Sequence, residues 1–338
     1  MRKVIISGMI GNALEWYDYA LYAEFAHIIG KQFFPNSEIQ EILTFAVFAA
    51  GFFIRPVGAV VFGNIGDRMG RRFALMLGIL TMAIPTAAIG LLPSYNSIGI
   101  AAPLLLVLIR LIQGFSLGGE FSGCITYLVE YSQPGKRGLI GSAAFVSMCL
   151  GMLLGNGTAS LMANMMDEAN LVSWGWRIPF IAGLFVGLVG LYIRHNLSES
   201  PLYRAAKAKK SLSSRPLYET VTQYWKSLVL AIAIYITVTA PFYTATVFIK
   251  SFLLKLGYSN LTAIAAGTII LISMTIIMPI SSAISDKIGR KKVLLIGATL
   301  VATCSYLVFY YIGKGNDTIA LIACFWFSLI VGFYMGPV

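Results

Sequence analysis

The sequence predicts an all-α, polytopic membrane protein, and three observations carry that prediction. Only 12% of the residues are charged and 58% are hydrophobic, against about 25% charged in an ordinary soluble domain. Glycine is abundant, at 33 residues, as membrane helices permit. Apolar runs of about 20 residues, long enough to span a bilayer, recur along the whole chain. They lie near 4–29, 41–64, 73–93, 103–128, 138–165, 177–194, 227–249, 262–284, 293–312 and 317–338. Ten such segments in 338 residues leave no room for a soluble domain.

The net charge of +11 follows the loops. With a cytoplasmic N-terminus, the inner side collects 18 of the 25 basic residues: Arg2, Lys3, Arg68, Arg71, Arg72, Lys136, Arg137, Arg194, Arg204, Lys207, Lys209, Lys210, Arg215, Lys226, Lys287, Arg290, Lys291 and Lys292. Lys31, Arg177, Lys250, Lys255 and Lys314 fall outside, and Arg55 and Arg110 lie within spans. This bias is the positive-inside rule. It orients a multi-pass chain in the cell inner membrane, makes the lipid bilayer the expected partner and argues against nucleic acid. Arg2 and Lys3 resemble the start of a signal peptide, but Glu15 and Asp18 interrupt its apolar region.

Cys124, Cys149, Cys304 and Cys324 fall inside apolar segments without metal-ligand spacing, so they read as packing residues. His27 and His195 lie near span ends and lack a ligand-spaced partner. No nucleophile–base pair or metal cluster appears, so neither an enzyme nor a cofactor is expected.

The longest polar stretch, 195–226, opens with Ser-Glu-Ser-Pro at 198–201 and reads as a cytoplasmic linker. It divides an N-terminal six-helix bundle, 1–194, from an incomplete second bundle, 227–338. An internal repeat supports the division. GNIGDRMGRR at 63–72 returns as SAISDKIGRK at 282–291, pairing Asp67 with Asp286, Gly70 with Gly289 and Arg71 with Arg290, each 219 residues apart. A second half as long as the first would need twelve spans. Parallel halves of this kind match a transporter architecture in which substrate binds between them near mid-membrane.

The repeated pattern, beginning at Gly63, resembles the cytoplasmic signature of the major facilitator superfamily. GNALEWYDY at 11–19, FFIRPVGAVVFGNIGDRMGRR at 52–72, RLIQGFSLGGEFSG at 110–123 and WGWRIPF at 174–180 narrow the resemblance to the metabolite–proton symporter family. SYNSIGIAAP at 94–103 and EANLVSWGWRIPF at 168–180 are most similar to its proline/betaine, osmolyte-importing branch. The resemblance implies a major-facilitator-type helical bundle with about ten of twelve helices present. It also implies that the loop of Gly63, Asp67, Gly70, Arg71 and Arg72, with its repeat at Asp286, Gly289 and Arg290, acts as a cytoplasmic gate that pairs with the eleventh span.

Asn12, Glu15, Asp18 and Tyr22 recur at helical steps and share one face. Such a stripe should face the bundle interior or a water-filled cavity, since an unpaired carboxylate at mid-bilayer costs about 2.5–3.5 kcal/mol on insertion scales. A proton carrier needs a carboxyl whose charge switches with its surroundings, and Glu15 and Asp18 are the candidates; the competing reading is that both simply pair with internal arginines. Arg55 and Arg110 are the expected partners. Arg110, Gln113 and Glu120 share a second helix face. Arginine stays charged, so it must meet a carboxylate from the protein or from a substrate. Pro56 beside Arg55 suggests a bend with a packing role, and Asp67 is placed to cap a helix start. Gly151, Gly155 and Gly157 read as close helix packing. In span seven, Thr237, Thr239, Pro241, Tyr243, Thr244 and Thr246 form a polar-aromatic patch that could cage a quaternary ammonium.

The leading expectation is proton-coupled symport of a small zwitterionic osmolyte, with protons and one small-molecule substrate as partners. The alternatives are an organic-acid (dicarboxylate or shikimate-like) symporter, a channel or membrane scaffold, and a truncated, non-transporting fragment. Oligomeric state is left open.

Overall fold

The computed structural model describes residues 2–35, 39–209 and 216–338, with the side chains of Arg2 and Glu41 left aside. Lys210 and Arg215, and the stretch 210–215 of the expected linker, lie outside the described residues. Every regular element among the described residues is helical.

The elements are α1 (Arg2–Glu24), α2 (Ala26–Phe33), α3 (Gln40–Met69), α4 (Arg71–Leu91), α5 (Tyr95–Ile98), α6 (Ala101–Tyr131), α7 (Arg137–Gly141), α8 (Ala143–Met165) and α9 (Glu168–Asn170). A π-helical turn, Leu171–Gly175, leads into α10 (Arg177–His195), α11 (Pro201–Ala208), α12 (Pro216–Gln223) and α13 (Trp225–Tyr243). A second π turn, Thr244–Phe248, precedes α14 (Ile249–Lys255), α15 (Asn260–Ile288), α16 (Arg290–Lys314) and α17 (Asp317–Met335).

Among the described residues, nine helices are long and apolar enough to cross a membrane. The tenth expected span is α1, which has the length but not the apolarity, because its polar stripe dilutes it. Three expected spans are subdivided. The run 4–29 breaks between α1 and α2, and 138–165 breaks between α7 and α8. In span seven, Pro241 cannot donate its backbone hydrogen bond, and the π turn follows three residues later.

Two compact units are present. The first comprises 1–131 and 151–216; the second comprises 132–150 and 217–338. In the first unit buried charges sit among a buried apolar core while large apolar side chains face outward. Asn12, Glu15, Asp18, Arg110, Gln113, Glu120 and Arg194 are all buried, while Phe53 is 84% exposed and Phe185 68%. Outward apolar side chains and inward charges suit a molecule whose surrounding solvent is lipid.

The seam between α3 and α6 sets the spacing of the interior. A side-chain carbon at Gly114 would collide with Gly51, and one at Gly118 with the backbone of Arg55 and Gly58. Small residues let these backbones touch, and the touch brings Arg55 and Arg110 to the same interior. Gly151 and Gly155 of α8 pack in the same way on Ala13, Tyr17 and Ala20 of α1, whereas Gly157 meets nothing within 4 Å. In the second unit, α17 lies against α15 and α16, with Gly332 on Met274 and Ile277 and Gly297 on Tyr334. Ser259 caps α15 through the Thr262 amide at 3.1 Å, and Asn316 caps α17 through the Ile319 amide at 3.0 Å.

Candidate functional site

The first unit holds three buried charge clusters, each reached from α1. At the first, Arg110 of α6 donates to Asp18 of α1 at 2.5 Å and to Gln113 at 2.8 Å. Gln113 donates to the other Asp18 oxygen at 3.1 Å and to Thr86 of α4 at 2.9 Å. The guanidinium lies 3.7 Å from the Tyr22 ring centre and 5.8 Å from that of Phe48. Tyr22 itself donates to the Thr44 carbonyl at 3.1 Å. Asp18 is fully enclosed and Arg110 is 3% exposed, so neither charge is shared with solvent. Two Arg110 donors, Nε and Nη2, lack a hydrogen-bond partner.

At the second cluster, Glu15 stands 3.9 Å from Arg55, and its Oε2 makes no hydrogen bond. Arg55 donates to the Tyr19 hydroxyl. Its guanidinium lies 4.9 Å from the Tyr19 ring centre and 4.2 Å from that of Phe52. Pro56 sits inside α3, so the helix runs through it.

At the third cluster, Glu120 does not join Arg110 and Gln113, although all three were expected on one face. About two turns beyond Gln113 along α6, it pairs with both terminal nitrogens of Arg194, one of them at 3.1 Å. Arg194 also donates to the carbonyls of Ser7 (3.1 Å) and Leu75. Arg194, counted among the inner-side charges, is 1% exposed and ties α1, α4 and α6 to α10. Gly11 and Gly78 leave the room this pair occupies, since a side-chain carbon at either would strike the Glu120 carboxylate.

The residues expected to form a gate lie in or near the turns that join α3 to α4 and α15 to α16. Gly70 adopts φ +108° between α3 and α4, and Gly289 adopts φ +98° between α15 and α16, so the sequence repeat is a backbone repeat as well. Left-handed φ of this kind favours glycine. Asp67 pairs with Arg71 at 2.7 Å and Asp286 with Arg290 at 3.3 Å, each four residues on. The expected capping role of Asp67 is not seen: it lies in the last turn of α3, and the carboxylate at the start of α4 is Glu199, which accepts from the Arg72 amide at 3.1 Å. Asp286 does meet a helix start, that of α7, accepting from the amides of Gly138 and Leu139 at 2.9 Å each. Gly63 has nothing within 4 Å of where a side chain would begin.

Glu199 belongs to the Ser-Glu-Ser-Pro segment, which is anchored on the first unit. Arg71 donates to Glu130 at 3.2 Å, Ser200 donates to the other Glu130 oxygen, and the Tyr131 hydroxyl donates to the Ser198 carbonyl at 2.8 Å. Buried Tyr203 reaches the Arg68 carbonyl at 2.7 Å. Sequence reading missed Thr86, Glu130, Arg194 and Glu199. Ser200 before Pro201, a helix-start signal, marked the position of the Glu199 anchor. Tyr243 belongs to the second unit, half-buried with its ring centre 5.4 Å from that of Phe242; Tyr334 donates there to Thr237 at 2.9 Å.

Residues 4–233 match the family described as sugar (and other) transporter. Over 348 residues the chain is 34% identical to the proline/betaine transporter of Escherichia coli K12, covering 99% of this chain and 70% of that relative. It is 37% identical to the glycine betaine/proline/ectoine/pipecolic acid transporter OusA of Dickeya dadantii, covering 95% of this chain and 66% of that one. Among solved structures, a double-Trp mutant of XylE matches with a TM-score of 0.84 at 18% identity, over 99% of this chain and 79% of the other. The major facilitator superfamily proton:xylose symporter XylE, bound to 6-bromo-6-deoxy-D-glucose, matches with 0.77 at 20% identity, over 99% of this chain and 80% of the other. At those identities the structural likeness concerns the fold. A chain of apolar spans folded inward around buried ion pairs, with these relatives, belongs to the sugar (and other) transporter family of the major facilitator superfamily and is a multi-pass membrane protein homologous to bacterial proline/betaine transporters.

Proposed function

We propose that the chain serves proton-coupled symport of a small zwitterionic osmolyte of the proline/glycine betaine class by alternating access, in the cell inner membrane with a cytoplasmic N-terminus. The observation that carries this reading is the Asp18–Arg110–Gln113 cluster. An arginine with two unused donors can receive the carboxylate that every such substrate carries. A substrate carboxylate on Arg110 competes with Asp18 for the same cation. Asp18, losing its partner, then becomes the carboxyl that takes up a proton, so cargo and proton load together. The names of the relatives support the substrate class.

In this reading Glu15, Asp18, Tyr22, Arg55, Arg110 and Gln113 belong to the substrate and proton path, with Tyr243 contributing from the second unit. Glu120 is assigned to the Arg194 pair instead. The loops at Gly63–Arg72 and at Asp286–Arg290 serve as the cytoplasmic gate. The 1–194 and 227–338 bundles joined through 195–226 are the proposed moving bodies.

Uptake of radiolabelled proline into cells lacking their own osmolyte carriers tests the proposal. Unlabelled glycine betaine should compete and α-ketoglutarate should not, and a protonophore should abolish accumulation. Competition by α-ketoglutarate alone would favour the organic-acid reading, and absence of any uptake would favour a non-transporting chain.

A further inference from the structure

The stretch EWYDYALY, 15–22, contains the same two-residue pattern twice: Glu15 with Tyr19, and Asp18 with Tyr22, each a carboxylate followed four residues later by a tyrosine. On a helix each pair stacks on one face. Helix α3 supplies a phenylalanine to each, Phe52 beside Tyr19 (ring centres 5.5 Å apart) and Phe48 beside Tyr22 (also 5.5 Å). The result is two adjacent seats for a cation, each with an acidic wall and two aromatic walls, about one helical turn apart. Both hold an arginine.

The two occupants are held very differently. Arg110 is clamped at 2.5 Å by Asp18 and its side chain is 4% exposed. Arg55 stands 3.9 Å from Glu15, donates to the Tyr19 hydroxyl and has a side chain 22% exposed. The Glu15 carboxylate is 1% exposed, and its Oε2 has no hydrogen-bond partner. A buried anion held this loosely is an acceptor built for more than the arginine beside it, because enclosed carboxylates are normally fully bonded.

We infer that Glu15, Tyr19 and Phe52 form an exchangeable ammonium subsite, and that Arg55 plugs it from within the protein until a substrate cation takes its place. The inference deepens the osmolyte reading by assigning the other end of the zwitterion. The carboxylate goes to Arg110, and the quaternary or secondary ammonium goes to the Glu15 seat one turn away. A quaternary ammonium donates no hydrogen bond, so it depends on the negative faces of rings and on an unshared carboxylate. Arginine occupies the same seat by the same attraction, and its long side chain reaches lipid-side or aqueous space when displaced. The subsite selects cargo by cost: a molecule without a cationic group gains nothing from displacing Arg55.

Isothermal titration of choline, a quaternary ammonium without a carboxylate, into the purified full chain in detergent tests the subsite directly. Arg55→Gln removes the plug and should tighten choline binding by about tenfold; adding Phe52→Leu to it should loosen binding by about tenfold. The carbon isostere 3,3-dimethylbutanoate, which keeps the carboxylate and loses the cation, should gain nothing from Arg55→Gln. Phe52→Leu alone, which keeps every charge, should weaken choline binding and is read should Arg55→Gln fail to fold. Unchanged choline affinity in Arg55→Gln, or in Phe52→Leu where that variant is the one read, overturns the subsite, as does equal tightening by 3,3-dimethylbutanoate. Choline results as expected in a protein that neither binds nor carries betaine and proline would uphold the subsite and count against the osmolyte reading alone.

Discussion

Asp18→Asn should destabilise the protein by about 3–5 kcal/mol, the usual cost of removing one partner of a buried ion pair. Asn keeps the size of Asp and an oxygen that can accept from Arg110, but it has no charge to set against the guanidinium. Arg110 then stays charged inside a site that is 3% exposed. The change should appear as low membrane abundance and a lowered unfolding midpoint in detergent. Asp18→Asn combined with Arg110→Gln should recover most of the abundance, because no charge is then left buried alone. Both variants should lose protonophore-sensitive accumulation: the single one lacks the Asp18 carboxyl, and the double one lacks the arginine proposed to receive the substrate carboxylate as well. Downhill exchange retained without accumulation in Asp18→Asn, beside abundance recovered in the double variant, separates the proton role of Asp18 from its structural role. Normal abundance together with normal coupling in the single variant would remove Asp18 from both, and Glu15 would be examined next.

A loss of similar size is expected at the third cluster, without any change of transport chemistry. Glu120→Leu leaves Arg194 with only the Ser7 and Leu75 carbonyls, and the uncompensated charge again costs about 3–5 kcal/mol. Glu120→Leu with Arg194→Met should be close to wild type in unfolding midpoint, because replacing both members of a buried pair by apolar groups is often neutral or stabilising. Substrate competition and protonophore sensitivity in the double variant should match wild type. A double variant as unstable as the single one would show that the carbonyl contacts of Arg194, and not its charge balance, hold α1 and α4 to α10. Loss of coupling in a stable double variant would return Glu120 to the proton path.

Much of this was legible in the sequence because bilayer physics writes in long, coarse strokes. Span lengths followed from apolar runs, and the inward face of α1 followed from the spacing of Asn12, Glu15, Asp18 and Tyr22. That Arg55 and Arg110 meet these carboxylates followed from the cost of leaving either sign alone. Which carboxylate meets which arginine did not follow, because it depends on how far α3 and α6 slide along α1, and the Gly51–Gly114 seam, which locks α3 to α6, is a matter of backbone packing. The burial of Arg194 was hidden for a related reason. A basic residue in the last turn of a span looks cytoplasmic by position, and only packing against Gly11 and Gly78 turns it inward. Glu199 stood in a polar segment with nothing local to show that the Arg72 amide lay beside it, 127 residues away in sequence.

The pairing of α1 with later helices also has a consequence in time. Asp18 is synthesised 92 residues before Arg110, a delay of roughly 5–20 s at ordinary elongation rates. Arg55 arrives earlier, 36 residues after Tyr19. During that interval α1 carries two carboxylates, lacks the apolarity of the other spans and has at most one cation to meet. Its stable entry into the bilayer must therefore wait for α3 and then α6, so α1 is settled only after those later spans have followed it.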